Sequence, residues 1–310
     1  MNMTLIWIVQ LLCVPALSPL CIGVIKKIKA KLQNRVGASI VQPYRDLWKL
    51  LHKDEIVSRD ASWIFKAAPF IIYAVTLVAG ASIPLFASFL KNPFTGDLIT
   101  VVYTLAIGTF FLALAGMDTG SPFGGFGSSR EMTVSALAEG GLVFSLFTVA
   151  LVSNSTNLFA ICATGQLLQG QSFLPMALAF SGFFIVLLAE NARFPFDNPA
   201  THLELTMIHE AMILEYSGKR LALMEWASAN KLVIFSALTA NLFFPWGLAG
   251  NTGLFSIATG LAIFILKIGF FCGVIALLES GMAKLRFFRL PDLLIIAFIF
   301  NVIAIGLIKP

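Results

Sequence analysis

The chain has 310 residues, 58% hydrophobic and only 12% charged, with 29 phenylalanines, a composition far from that of a soluble globular domain. Its net charge of +5 reads as a membrane topology signal and not as nucleic-acid binding, because the lysines and arginines fall in loops between apolar stretches. The four cysteines (Cys13, Cys21, Cys162 and Cys272) form no C-x-x-C pair and no spacing that ligates zinc or an iron–sulfur cluster, so no metal or redox centre is expected in the chain itself.

A helix crossing the roughly 30 Å hydrocarbon core needs about 20 mostly apolar residues. Eight such stretches are predicted near 3–25, 64–90, 98–117, 131–153, 172–190, 229–249, 253–278 and 290–308. The expected fold is therefore all-α: one polytopic membrane domain over 1–310, with about eight transmembrane helices and both termini on the outer face. The first stretch is too long for a signal peptide and lacks small-residue cleavage chemistry. Loops 26–63, 118–130 and 191–228 are placed on the cytoplasmic side, because eighteen lysines and arginines lie on that side and only Lys91 and Lys309 on the other.

In the first loop, PYRDLWKLLHKDE puts Tyr44, Leu47, Trp48, Leu50 and Leu51 on one side of a helix. Arg45, Asp46, Lys49 and Lys53 lie largely opposite. Such a helix suits the headgroup layer, and its polar face is a candidate dock for a soluble partner. The second loop, DTGSPFGGFGSSR, is rich in glycine and serine and ends at Arg130 and Glu131, read with Arg35 and Arg193 as further docking residues.

Intramembrane ionisable groups are functional candidates by default, because a mid-bilayer charge costs several kcal/mol. Glu139 lies nine positions after Arg130, about 13 Å into its span at 1.5 Å per residue. That depth fits a proton-handling carboxyl; the plainer reading is a static pair with Lys267, the other charge placed inside a span. Glu190 and Glu279 end their spans on the cytoplasmic side, where snorkelling would also explain them.

Residues 190–218 hold five of the sixteen acidic residues and two of the three histidines. Asn198 as N-cap, Pro199 at the first position and Gly218 at the end predict one helix over 199–217. On it Glu204 and Glu215 would share a stripe with Glu210 on another face. His209-Glu210 begins a zinc-protease pattern, but Ile213 stands where the second histidine is needed, so that reading fails.

ENARFPFDNP…EYSG resembles the signature of the membrane subunit that joins the two arms of respiratory complex I, through Ala189, Glu190, Arg193, Pro195, Phe196, Asp197, Glu204, Glu215, Tyr216, Ser217 and Gly218. Arg35, Gly37, Asp46, Lys49 and Leu50 extend the likeness upstream, whereas Ala38, Ala200 and His202 depart from it. GMDTGSPFGGFGSSRE and NPATHLELTMIHEAMILEYSG are more similar to the homologous subunit of energy-converting nickel–iron hydrogenases and formate hydrogenlyase.

The resemblance implies a subunit in the cell inner membrane that carries no redox centre of its own. It would anchor hydrogenase-like large and small subunits and an iron–sulfur subunit, the partners carrying the iron–sulfur clusters and the nickel–iron centre, and pass the redox event to antiporter-like neighbours as proton or sodium movement. Glu139, Glu190, Asp197, Glu204, Glu210, Glu215, Lys267 and Glu279 are the candidate coupling residues. The alternatives are a quinone-chamber subunit of complex I, a stand-alone proton-coupled transporter, or a purely structural anchor.

Overall fold

A computed structural model describes residues 3–90, 96–164, 173–198 and 207–308. Eight helices are long and apolar enough to cross a membrane, and among the described residues no β-strand forms; two isolated bridges pair Ala87 with Ala249 and Asp97 with Asn157. In chain order α1 is Met3–Leu32, α2 Gln42–Leu51, α3 Trp63–Ser82 and α4 Leu98–Asp118. Then come α5 Pro122–Ser153, the short α6 Leu158–Thr164, α7 Phe173–Glu190 and the five-residue α8 His209–Ile213. The chain ends with α9 Gly218–Leu238, extended by a π turn over Thr239–Phe243, α10 Leu254–Gly281, and α11 Leu290–Gly306.

Local chemistry starts and orders these helices. Ser62 caps α3 by accepting the Ile64 N–H at 3.1 Å, and Asp118 of α4 accepts the N–H groups of Ser62 and Phe65. These are donors that no helical carbonyl reaches. Inside a membrane span a proline strips a donor from the carbonyl four residues back, and that oxygen needs another partner. Pro19 leaves the Pro15 oxygen free, and the Trp226 indole N–H of α9 donates to it at 3.0 Å. Pro69 leaves Phe65, and the Tyr216 hydroxyl donates there at 2.9 Å while its ring stacks on Phe65 at 3.9 Å. Two prolines therefore fasten α1 and α3 to the α9 region.

Helix α1 packs on α9 and α10, α3 on α4 and α9, and α5 on α7 and α11. One apolar core runs through these contacts from Ile6 to Ala304. One end of the bundle, the basic end, carries α2, α8 and most of the basic residues.

Several predicted boundaries move. The glycine and serine run expected as loop 118–130 is helical from Pro122. Its glycines serve contact and not a turn: a Cβ on Gly124 would lie 2.1 Å from the Gly116 carbonyl, and one on Gly127 2.9 Å from the Ile208 carbonyl. The sixth span begins at Gly218 and not 229, which puts Lys231 thirteen residues inside a helix instead of two residues past the start of the predicted span. The second span ends at Ser82, after which Ile83, Leu85, Phe86, Ala87 and Leu90 run as a fully buried non-helical segment. The single helix expected over 199–217 is not present in its described part, where only His209–Ile213 is helical; Pro199 to Thr206, with His202 and Glu204, lie outside the described residues.

Candidate functional site

The buried charges gather at the basic end and are paired. Glu190, closing α7 at 9% exposure, takes the Lys231 ammonium at 2.7 Å and the Ser135 hydroxyl at 3.4 Å. Lys231 also donates to Thr109 at 3.3 Å. Glu279, at the end of α10, binds Lys29 at 2.7 Å and Arg193 at 3.2 Å, one carboxylate neutralising two cations from different elements.

Asp197 is buried at 2% exposure and organises the loop before α8. One oxygen accepts the Asn198 N–H at 2.8 Å and the Lys284 ammonium at 2.5 Å. The other accepts the Ile208 and His209 N–H groups at 3.1 and 3.2 Å. This draws the chain on both sides of the undescribed segment onto one carboxylate, so the first turn of α8 is capped from eleven residues upstream. At the other edge Ser217 bonds Ile56 in both directions. Gly218 sits at φ +54 with the Asp54 carbonyl 2.8 Å from where a Cβ would be, a place only glycine fills without strain.

The acids predicted for coupling thus divide. Glu190, Asp197 and Glu279 converge on the basic-end interior, and Glu210 faces a cavity there. Glu215 is exposed on the turn after α8, off the stripe expected for it. Glu139 is half-buried on α5, between the packed face of Ala138 and Leu142 and the outward face of Leu137. It does not meet Lys267, whose ammonium lies on the Phe244 and Ala240 carbonyls and the Asn241 side chain, so the static pair of the plainer reading is absent.

The docking set divides too. Arg35, Arg45, Lys49 and Lys53 are exposed. Asp46 is half-buried, accepts the Gln42 amide at 2.8 Å and lines the same cavity as Glu210. Arg130 is turned inward to the Met207 carbonyl and the Phe287 ring. Arg193 is held by Glu279, and Glu131, expected at the docking surface, is 6% exposed. Glu131 precedes Ser135 and Glu139 by one and two helical steps of four, so the three line one side of α5 over about 12 Å.

Sequence reasoning missed Lys231 and the interior place of Glu131. Their signal was weak, because each adjoins a polar stretch that reads as loop. A findable signal existed for Tyr216: Pro69 six residues into a span demands a donor for Phe65.

A cavity of about 470 Å³ opens among Lys26, Lys29, Asp46, Arg193, Glu225 and Glu279. A second of about 40 Å³ lies among α3, α4, α8 and α9, lined by Thr76, Thr109 and Lys231, with room for a few waters. His209, Ile213 and Ser228 line both. Burial, then the Lys231 cation, pushes His209 down to about 4 from the ordinary 6.5, with Arg193 adding to the shift and Asp197 opposing it. The folded imidazole is therefore neutral while the unfolded one protonates below about 6.5. The stability this confers is complete above that pH and is lost as pH falls toward 4. His209→Gln is expected to flatten this part of the profile: between pH 7 and 4.5 its thermal midpoint should drop less than that of the parent. Parallel profiles would refute the assignment.

The family model described as NADH dehydrogenase matches residues 4–308. The chain belongs to that family. It is 36% identical to hydrogenase-4 component C of Escherichia coli (strain K12) over 274 residues, 87% of this chain and 85% of that one. It is 33% identical to formate hydrogenlyase subunit 4 of the same organism over 279 residues, 90% of each. It is 28% identical to an NADH-quinone oxidoreductase subunit of Paraburkholderia xenovorans (strain LB400) over 265 residues, 82% and 74% of the two chains. A chain from the structure of the membrane-bound sulfane sulfur reductase, an archaeal respiratory membrane complex, has the same fold at TM-score 0.81 and 21% identity, covering 97% of this chain and 99% of that one. Within the NADH dehydrogenase family this is a multi-pass membrane subunit, homologous to members of both the hydrogenase and the complex I groups.

Proposed function

We propose that this chain is the membrane-anchoring and ion-coupling subunit of a multisubunit hydrogenase or formate hydrogenlyase-type complex in the cell inner membrane, its basic end facing the cytoplasm and both termini outside. The hydrogenase branch is supported by the higher identity, over nearly the whole length, to hydrogenase-4 component C and formate hydrogenlyase subunit 4. Exposed Arg35, Arg45, Lys49 and Lys53 offer the docking charge for a soluble arm of large, small and iron–sulfur subunits, which hold the iron–sulfur clusters and the nickel–iron centre.

The observation that carries the coupling part is the sequence of charges from the basic-end cavity into the bundle. Glu279 with Arg193 and Lys29 stands at the cavity; the Lys231–Glu190 pair stands beyond His209; Glu131, Ser135 and Glu139 follow on α5. Paired charges a few ångströms apart in a medium of effective dielectric about 20 interact by about 4 kcal/mol. A charge change in the docked arm therefore shifts the balance of each pair inward. Glu139, with no hydrogen bond or ion pair among the described residues and part of its surface exposed, would pass a proton laterally to an antiporter-like neighbour, since lipid alone would be a costly cover.

Glu139→Gln is expected to retain hydrogen chemistry and lose most hydrogen-linked proton or sodium movement in vesicles; unchanged pumping would remove Glu139 from the path. A second reading, a quinone chamber, is favoured by the 470 Å³ cavity, within the size range of small-molecule sites. Inhibition of the purified complex by a quinone-site blocker would favour it.

A further inference from the structure

Lys267 lies in the middle of α10, is 7% exposed, and makes no ion pair with any carboxylate among the described residues. Its ammonium instead donates to three oxygens: the Phe244 carbonyl at 2.6 Å, the Asn241 side-chain oxygen at 3.2 Å and the Ala240 carbonyl at 3.3 Å. The Trp246 ring centre is 5.0 Å away, an attractive distance for a cation over an indole face.

These oxygens stand where α9 breaks. The π turn Thr239–Phe243 ends the helix, and the last carbonyls of a helix lack internal donors and carry its negative dipole end. Pro245 has no N–H for the Asn241 carbonyl, which takes the Cys162 thiol at 3.2 Å instead. The Asn241 amide N–H₂ donates to the Pro84 and Leu85 carbonyls at 2.7 Å each, which fixes its oxygen toward Lys267. The segment holding Pro84 is itself fastened by Gln10 to the Ile83 carbonyl at 2.5 Å and by the Ala249 N–H to Phe86 at 2.8 Å.

Convergent carbonyl oxygens at an unwound helix end are the chemistry by which membrane proteins hold a dehydrated monovalent cation. Here a side chain of the protein holds that position. We propose that Lys267 is a tethered cation occupying a monovalent-cation site built by the broken end of α9, and that by filling it the ammonium closes the end of the bundle opposite the basic end to small cations. The ammonium satisfies the three oxygens, and its fixed positive charge repels any proton, sodium or potassium ion entering there. Lys267 is thereby separated from the coupling acids: its role is insulation, and it stands whether or not Glu139 moves protons.

The test uses the full-length chain purified from its membrane with its bound subunits, as parent, Lys267→Arg, Lys267→Met and Lys267→Ala. Thermal midpoints are measured in sodium, potassium or rubidium chloride against N-methylglucamine chloride at equal ionic strength. Rubidium uptake is measured in vesicles containing each form.

The parent and Lys267→Arg are expected to show no dependence on the small cation. Lys267→Ala should gain several degrees in at least one of the three salts and leak rubidium several-fold faster, with Lys267→Met, which keeps the stem's bulk, moving less in the same direction. Equal midpoints and leaks in all four forms overturn the proposal. So does an assembly defect in Lys267→Ala and Lys267→Met that none of the three cations relieves, or a Lys267→Arg form as leaky as Lys267→Ala.

Discussion

Replacing Lys231 by methionine is expected to destabilise the protein by about 3–5 kcal/mol, the usual cost of leaving a buried charge without its partner. Glu190 has 9% of its surface exposed and, among the described residues, one ion-pair partner, Lys231 at 2.7 Å. The Ser135 hydroxyl at 3.4 Å is too distant to replace it. Without the ammonium the carboxyl must take up a proton or draw in water. Removing both charges, as in Lys231→Met with Glu190→Leu, is expected to restore most of the lost thermal stability, because a buried pair is often matched by apolar residues of similar volume. Ion movement should stay lost in the double variant if the pair belongs to the path. A double variant as unstable as the single one would show that Lys231 acts through Thr109 or the Phe235 ring and not through Glu190.

Asp197→Ala is expected to cost a similar amount, about 3–5 kcal/mol, since it removes one buried acceptor from the Lys284 ammonium and from three backbone N–H groups together. Asp197→Asn should cost about 1–3 kcal/mol: its amide keeps one acceptor but turns a donor toward either Lys284 or the amides of Ile208 and His209. Hydrogen exchange gives a local check beside thermal unfolding. The Ile208 and His209 amides, which donate to Asp197 at 3.1 and 3.2 Å, should exchange much faster in Asp197→Ala. Retained protection at those two positions would mean that Met207 and Arg130 hold the start of α8 without the carboxylate.

The eight spans were legible in the sequence because twenty apolar residues in a row are a signal that few other folds produce. Helix α2 was legible for a related reason: its apolar and charged residues alternate at helical spacing. Boundaries were legible only where charge stopped at the membrane edge. Lys219, Arg220 and Glu225 looked like loop and Lys231 like the start of a span, yet all four belong to α9, since charges that find partners on other elements, as Arg220 finds Glu55 and Lys231 finds Glu190, no longer need water.

The helix expected over 199–217 failed in its described part for a similar cause. Asp197 takes the N–H groups of Ile208 and His209, and the Phe65 carbonyl stripped by Pro69 takes the Tyr216 hydroxyl. Both are demands from outside the segment, and they outweigh its own helix signals.

By itself the sequence determined that this is a chain of membrane-crossing helices, which residues are costly enough in lipid to need a purpose, and which motif ties it to its family. Only the tertiary structure decided the partners: Glu190 to Lys231, Glu279 to Lys29 and Arg193, Asp197 to Lys284, and Lys267 to carbonyl oxygens instead of Glu139. The physical reason is that the spacing of residues along a helix sets which face a charge occupies, whereas its energy in a low-dielectric interior depends on a separation of a few ångströms to a group on another helix. That distance is a property of how the helices pack, and no pattern within one of them encodes it.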